Sequence, residues 1–120
     1  MMKYLCMIFF DERRLDALCK HEYDALVQES LAYDDVLRSG GHLLANQALQ
    51  SVHAATTIRP QGSKMTITDG PFAETKEQIG GFILIAAQDL DEAIKLASAI
   101  PAIRLGGVEV RPIREVTSGV

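Results

Sequence analysis

The sequence predicts an α+β fold in which two strand–helix–strand units are joined by an inserted hairpin. Residues 4–10 and residues 81–87 are uninterrupted apolar runs, and each is followed by a segment with helical spacing of apolar side chains. A turn-rich stretch separates the two units. This order of elements is that of the split βαβ, ferredoxin-like plan. Right-handed crossovers place the two apolar strands side by side in the middle of a four-stranded sheet.

The first unit begins with the apolar run over residues 4–10, and such a run is typical of a strand that is covered on both faces. Residues 22–39 carry apolar side chains three and four positions apart, which predicts a helix. The double glycine at 40–41 ends this helix, because glycine accepts the left-handed conformation of a C-cap. Residues 42–49 follow as the second strand.

The inserted hairpin is predicted from two short strand-like segments, residues 54–59 and 64–68. A run of Pro, Gln, Gly and Ser lies between them, and proline and glycine are typical of turns. The chain then returns to the main sheet through residues 81–87, which are wholly apolar.

The second unit ends with a helix over residues 90–99 and a strand over residues 108–114. Asp89 is a good N-cap for the helix, and apolar side chains recur along it at helical spacing. Apolar and polar side chains alternate in the last strand, and its Pro112 suits the edge of a sheet. No linker is visible, so we expect one domain over residues 1–120.

The predicted topology leaves one face of the sheet without a cover. Both helices pack on the same face, so the other face carries half of the side chains of the two apolar strands. Soluble monomers rarely leave a large apolar patch in water. Packing this face on a second copy buries on the order of several hundred Å² per partner. We therefore predict a two-fold homodimer in which the sheets stack face to face.

Composition argues against several classes of protein. The chain has 120 residues, 48% of them apolar, and a net charge of −4. A negative chain with scattered Lys and Arg is not expected to bind nucleic acid. No apolar run approaches the ~18 residues of a membrane span, and the N-terminal run is too short for a signal peptide. Cys6 and Cys19 lack CxxC spacing, which favours a reducing cytoplasm.

The segment over residues 68–82 is the most distinctive part of the chain, and it reads Thr-Asp-Gly-Pro-Phe-Ala-Glu-Thr-Lys-Glu-Gln-Ile-Gly-Gly-Phe. Together with residues 2–8, 41–45 and 108–113, it resembles the DGPF-motif branch of the YCII-related family. The resemblance covers nearly the whole chain. It implies a dimeric α+β barrel built on the ferredoxin-like unit, and it matches Asp69 to the aspartate of the motif.

The resemblance points to more than one kind of function. Some relatives lie beside, or are fused to, sigma factors of the extracytoplasmic-function class. Distant members use a His-Asp pair with the histidine on the first helix, and one is a dehydrochlorinase that acts on a chlorinated hydroxyhydroquinone. Here the body of the predicted first helix has no histidine, and only His21 stands at its beginning. The pair is therefore not carried over.

Asp69 and His42 are the predicted catalytic residues. The Asp69 carboxylate either caps its own turn or acts as a general acid or base, held by Pro71 and half shielded by Phe72. Histidine titrates near neutral pH, and His42 begins a strand that neighbours the third strand. We expect it to approach residues 69–78; a position on the surface or in the core is the other interpretation.

Phe72, Glu74, Lys76 and Gln78 are the predicted ligand-binding residues. In this interpretation Lys76 holds an anionic group, Glu74 or Glu77 assists proton transfer, and Lys76 or Gln78 orients the ligand. A solvated loop is the alternative. The glycines at 80–81 either let a ligand or another backbone approach closely or form a bulge.

We expect one of two functions. The first is a cofactor-free acid–base enzyme, carrying out elimination or isomerisation on a small polar or aromatic molecule near the dimer seam. The second is a non-catalytic regulatory or interaction module, linked to a sigma factor. No cofactor is expected, because the sequence has neither a nucleotide fingerprint nor a phosphate-binding glycine loop. No metal site is expected, because the histidines lack ligand spacing.

Overall fold

The structure is a computed structural model that describes residues 1–117. The elements follow one another as β1 (Met2–Phe10), α1 (Glu12–Asp16), α2 (Lys20–Ser39), β2 (Leu43–Ala48), β3 (Thr56–Gln61), β4 (Lys64–Asp69), β5 (Gln78–Ala87), α3 (Leu90–Ser98) and β6 (Gly106–Pro112). Two short 3₁₀ turns, Val52–Ala54 and Pro101–Leu105, join some of them. Among the helices of these residues, none combines the length and hydropathy needed to cross a membrane.

The main sheet is antiparallel, with strand order β2-β5-β1-β6. The two apolar strands β1 and β5 therefore lie in the middle, and the predicted α+β, ferredoxin-like fold class is confirmed. Strand β6 lies at one edge, where Pro112 faces Tyr4 across the ladder. Strands β3 and β4 pair with each other in a separate two-stranded sheet and form the inserted hairpin.

The sequence pattern does not predict α1, because five residues are too few to show a helical period. Asp11 caps this helix, and its carboxylate accepts from the Arg13 backbone N–H at 3.0 Å. Helix α2 begins at Lys20, two residues earlier than predicted, since the Glu22 carboxylate accepts from the Cys19 backbone N–H at 2.9 Å. The predicted cap of α3 is confirmed, with Asp89 accepting from a backbone N–H of the first turn.

The core lies between the helices and one face of the sheet. Tyr4 and Cys6 of β1 face Ile85 and Ile83 of β5, and all four are buried. The helices and the following turn contribute Leu37, Ala93, Ala97 and Ile100. Each large apolar side chain buried in this way contributes about 1.5–3 kcal/mol to folding. Burial also raises the pKa of the Cys6 thiol to about 11.

Residues 1–117 provide no cover for the opposite face of the main sheet, which we call the open sheet face. Leu5 and Met7 of β1 face Leu84 and Phe82 of β5, and these four side chains are only half-buried. The described chain is flat, with extents of 51 × 48 × 18 Å. The smallest extent fits a sheet with helices on one side only, because a further layer packed on the other side would add about 10 Å.

A bulge interrupts β5 beside the end of β1. Ile8 faces Gly81 and Phe9 faces Ile79, so Gly80 is the additional residue. A Cβ atom at Gly80 would collide with the ring of Phe10. The predicted bulge at residues 80–81 is therefore present, and a protein ring fills the space that the glycine leaves.

Candidate functional site

A cleft of about 560 Å³ opens where β1 ends, β4 ends and β5 begins. We call it the Asp69 cleft. Its polar walls come from the start of α1, from the first 3₁₀ turn, from the end of β4 and from the loop that leads into β5. The side chains that can carry charge in these walls are Asp11, Glu12, Arg13, His53, Asp69, Glu74 and Lys76.

Asp11 and Arg13 form a multiply hydrogen-bonded ion pair in the wall of the cleft. The Arg13 Nη2 donates to Asp11 Oδ2 at 2.7 Å, and Nε lies 3.1 and 3.2 Å from the two carboxylate oxygens. These hydrogen bonds, together with the Arg13 backbone N–H, lower the pKa of Asp11 to about 2. The positive charge of Lys76 also lowers the pKa of Asp11. Asp11 therefore remains an anion that orients its neighbours.

Glu12 holds the first 3₁₀ turn against α1. Its carboxylate accepts from the Val52 backbone N–H and from the Ser51 hydroxyl, each at 2.7 Å. These two bonds lower the pKa of Glu12, and the charge of His53 adds to the effect. The contact positions His53, which follows Val52 directly, on the wall of the cleft.

Asp69 ends β4 and is exposed. The following Gly70 has a φ of 113°, a conformation that favours glycine, and its N–H donates to the Ala55 carbonyl at 2.8 Å. The Thr57 hydroxyl donates to the Gly70 carbonyl at 2.7 Å. Among residues 1–117 no hydrogen bond ends on the Asp69 carboxylate. Backbone and Thr57 thus hold the turn, and the carboxylate is available to a ligand.

Three predicted ligand-binding residues lie on the walls of the Asp69 cleft: Glu74, Lys76 and Gln78. The Gln78 side-chain nitrogen donates to the carbonyls of Ala73 and Thr75, at 3.0 and 3.1 Å. The side-chain nitrogen of Gln78 is therefore engaged in holding the loop, which leaves its amide oxygen as the group that could accept from a ligand.

Phe72 does not line the Asp69 cleft, so the prediction that its ring half shields Asp69 is wrong. The ring is 69% exposed and packs under the Arg59 guanidinium, 3.8 Å from ring centroid to Cζ. It lines a second cleft of about 870 Å³, whose walls include Phe9 and Ile79 of the open sheet face. We call this second space the apolar cleft. The Gly70 turn directs Phe72 towards it.

His42 does not approach Asp69 within one chain, and the predicted proximity is wrong in that respect. Its Nδ1 lies 2.7 Å from the Ala86 carbonyl oxygen, so Nδ1 carries a proton and donates. Ala86 stands eight residues beyond Gln78 on β5, which is roughly 26 Å at strand rise. His42 begins a strand that runs antiparallel to β5, and this direction places it at the far end of the sheet.

The sequence patterns miss four side chains of the Asp69 cleft that can carry charge: Asp11, Glu12, Arg13 and His53. The sequence does contain a signal for Asp11, because an aspartate directly after an apolar strand is a frequent N-cap of the following helix. The signal for His53 is weak and consists of a serine two positions earlier that caps a short turn. No group of three His, Cys, Asp or Glu side chains within residues 1–117 is arranged to hold a metal ion.

The matches to known proteins cover nearly the whole chain. A family model described as a YCII-related domain matches residues 2–117. An uncharacterized protein of Rhizobium meliloti (strain 1021) is 35% identical over 116 residues, which are 93% of this chain and 92% of that protein. All residues of the Asp69 cleft lie inside the family match.

Proposed function

This chain belongs to the YCII-related family, and on that premise we propose that it binds a small polar or aromatic molecule in the Asp69 cleft and performs cofactor-free acid–base chemistry on it. The observation that carries the proposal is that two side chains able to move protons, Asp69 and His53, line one cleft together with the cation Lys76. Such convergence in a concave site is typical of acid–base catalysis.

The roles follow from which groups are already engaged. Asp11 is held by Arg13, and Glu12 is held by the 3₁₀ turn. Asp69, Glu74, His53 and Lys76 make no such contacts among residues 1–117. In this proposal Asp69 takes the proton, His53 returns one, and Lys76 stabilises negative charge on the substrate. In this proposal His53 therefore has the catalytic role that the sequence predicted for His42.

The size and neighbourhood of the cleft support a small substrate. A volume of about 560 Å³ lies within the range of ordinary small-molecule sites. The Asp69 cleft and the apolar cleft share Val52, Pro71, Thr75 and Gln78 in their walls. A molecule with a polar reacting end and an apolar body fits this pair of spaces, with its ring beside Phe9.

We also propose that the open sheet face pairs with a second copy of the chain. The half-buried Leu5, Met7, Phe82 and Leu84 form the centre of this face. The apolar cleft opens beside them through Phe9 and Ile79. Pairing would exclude water from the apolar wall of the site, which strengthens the electrostatic interactions there.

Ligand-induced thermal stabilisation tests the binding part of the proposal. The probes are hydroquinone, 4-hydroxybenzoate and succinate at about 10 mM, above ordinary KM values. At least one probe is expected to raise Tm, and Lys76→Gln is expected to abolish the effect of the anionic probes. If Asp69 is purely catalytic, Asp69→Asn leaves the stabilisation intact. No stabilisation by any probe would contradict the proposal.

One observation favours the alternative of a regulatory or interaction module. Leu90 and Ile94, one turn apart on α3, are 49% and 47% exposed, and α3 lies away from the open sheet face. The pair would remain accessible after the sheets have paired. If the protein is such a module, substitutions at Asp69 and His53 leave partner binding unchanged, whereas Ile94→Asp weakens it.

A further inference from the structure

The β3–β4 hairpin carries an apolar face that the described chain leaves in solvent. Ile58 pairs with Ile67 and Pro60 pairs with Met65, so these four side chains share one face. Ile58, Met65 and Ile67 are 63%, 68% and 73% exposed. A two-stranded hairpin alone is only marginally stable in water. This apolar face therefore has the character of a surface that another molecule covers.

The opposite face of the same hairpin is polar throughout. There Thr57 pairs with Thr68, and Arg59 pairs with Thr66. Arg59 also donates to the Phe72 carbonyl at 3.0 Å, which ties the middle of β3 to the loop after β4. One face of the hairpin is thus suited to water and held by the following loop, while the other face is apolar and uncovered by the described residues.

We propose that this hairpin is an arm that packs its apolar face on a second copy of the chain. The arm rests on the pairing of sheet faces proposed above. Ile58 lines the same cleft as Phe9 and Ile79, so the apolar surface of the arm is continuous with the open sheet face. In a two-fold pair each copy gives its arm and receives the other, which covers both uncovered surfaces on both copies.

The area of the open face supports this assignment. Four strands of about eight residues cover roughly 500 Å² in projection, and the hairpin adds roughly 200 Å². A standard stable interface buries about 800 Å² per partner. The sheet face alone falls well short of that area, and the arm supplies a large part of the difference.

The charge of the arm does not favour an anionic lipid surface as the occupant. Arg59 and Lys64 stand on the hairpin, but Asp69 ends β4 and Glu74 follows in the next loop, and the chain carries a net charge of −4. Stable attachment to anionic lipid ordinarily needs a cluster of basic residues around the apolar surface. Pairing with a second copy has no such requirement.

Sedimentation velocity over micromolar concentrations tests the arm through two neighbouring substitutions. Ile67→Asp places a charge on the apolar face, and Thr68→Asp places the same group on the polar face of the same strand. Ile67→Asp is expected to raise the dimer dissociation constant by about 30-fold or more, and Thr68→Asp by less than about 3-fold. Circular dichroism checks that both variants are folded.

A second measurement uses the wild-type chain and needs no variant to fold. Methyl-labelled copies are mixed with unlabelled copies, and isotope-filtered NOEs are recorded from the methyl groups of Ile58, Met65 and Ile67. Contacts with the unlabelled copy are expected. A dimer without such contacts would overturn the arm but not the pairing of the sheet faces, and so would equal effects of the two substitutions. A wild-type monomer would overturn both the arm and the pairing of the sheet faces. The same holds for a monomer that floats with phosphatidylcholine–phosphatidylserine vesicles.

Discussion

The carboxylate of Asp11 lies in the fork of the Arg13 guanidinium, with Nη2 at 2.7 Å and Nε at 3.1 and 3.2 Å. Asp11 is 8% exposed, whereas the Arg13 side chain is 80% exposed. The same carboxylate caps α1 through the Arg13 backbone N–H. One residue pair therefore fixes both the start of α1 and one wall of the Asp69 cleft.

This pair predicts a loss of stability in acid. The pKa of Asp11 is about 2 in the folded chain, below its ordinary value of 3.8. A depressed pKa stabilises the fold above pH 4, and that contribution disappears as the pH falls from 4 towards 2. Asp11→Asn keeps a good capping side chain but removes the charge. Its stability deficit relative to wild type should be constant near neutrality and shrink below pH 4.

Urea unfolding followed by circular dichroism between pH 2 and pH 7 measures this deficit. Arg13→Gln serves as the matched variant, because it removes the positive charge of the guanidinium and leaves the carboxylate. The two single variants and the double variant form a cycle whose coupling should fade over the same pH interval. A coupling that stays constant from pH 7 to pH 2 would show that the ion pair is not its source.

Gly80 is expected to be intolerant of any side chain. A Cβ atom there collides with the Phe10 ring, so Gly80→Ala should destabilise the fold by about 1–3 kcal/mol through overpacking. Gly107→Ala is the control, because nothing lies within 4 Å of its Cβ position. That variant should be neutral or slightly stabilising, through the reduced entropy of the unfolded chain. Equal chemical denaturation midpoints for the two variants would refute the packing account.

The two cysteines are expected to differ in reactivity. Cys6 is fully buried, and desolvation raises the pKa of its thiol to about 11. Cys19 is exposed at the beginning of α2. At pH 8 iodoacetamide should modify Cys19 and spare Cys6 until the chain is unfolded, because the thiolate is the reactive form. Mass spectrometry of the folded protein measures this, and Cys19→Ser should abolish labelling. Comparable modification of Cys6 would count against a tightly packed core.

The order of the sheet strands could be predicted from the sequence, because the two uninterrupted apolar runs belong in the middle of a sheet. The hairpin was equally predictable from its turn residues, although β3 extends to Gln61 and includes Pro60. Helix α1 was not, since a five-residue helix depends on its cap and on tertiary contacts. Arg14 supplies such a contact by donating to the Leu105 carbonyl at 2.8 Å.

The candidate site could be predicted only in part. The segment after Asp69 was predicted to bind a ligand, and its Glu74, Lys76 and Gln78 lie on the walls of one cleft. Their binding of a ligand stays a prediction. Which histidine accompanies it was not predictable, since that depends on the direction of β2 and on the contact of Glu12 with the turn before His53. The direction of Phe72 likewise depends on the backbone of Gly70, which the sequence does not display.

An NMR titration of ¹⁵N-labelled protein with hydroquinone, 4-hydroxybenzoate and succinate tests most directly whether the Asp69 cleft is the site of function. We expect saturable shifts that are confined to the amides of His53, Asp69, Lys76 and their neighbours, and that weaken in Lys76→Gln. Saturable shifts that map elsewhere, such as around His42, or the absence of any saturable shift with all three probes, would contradict it.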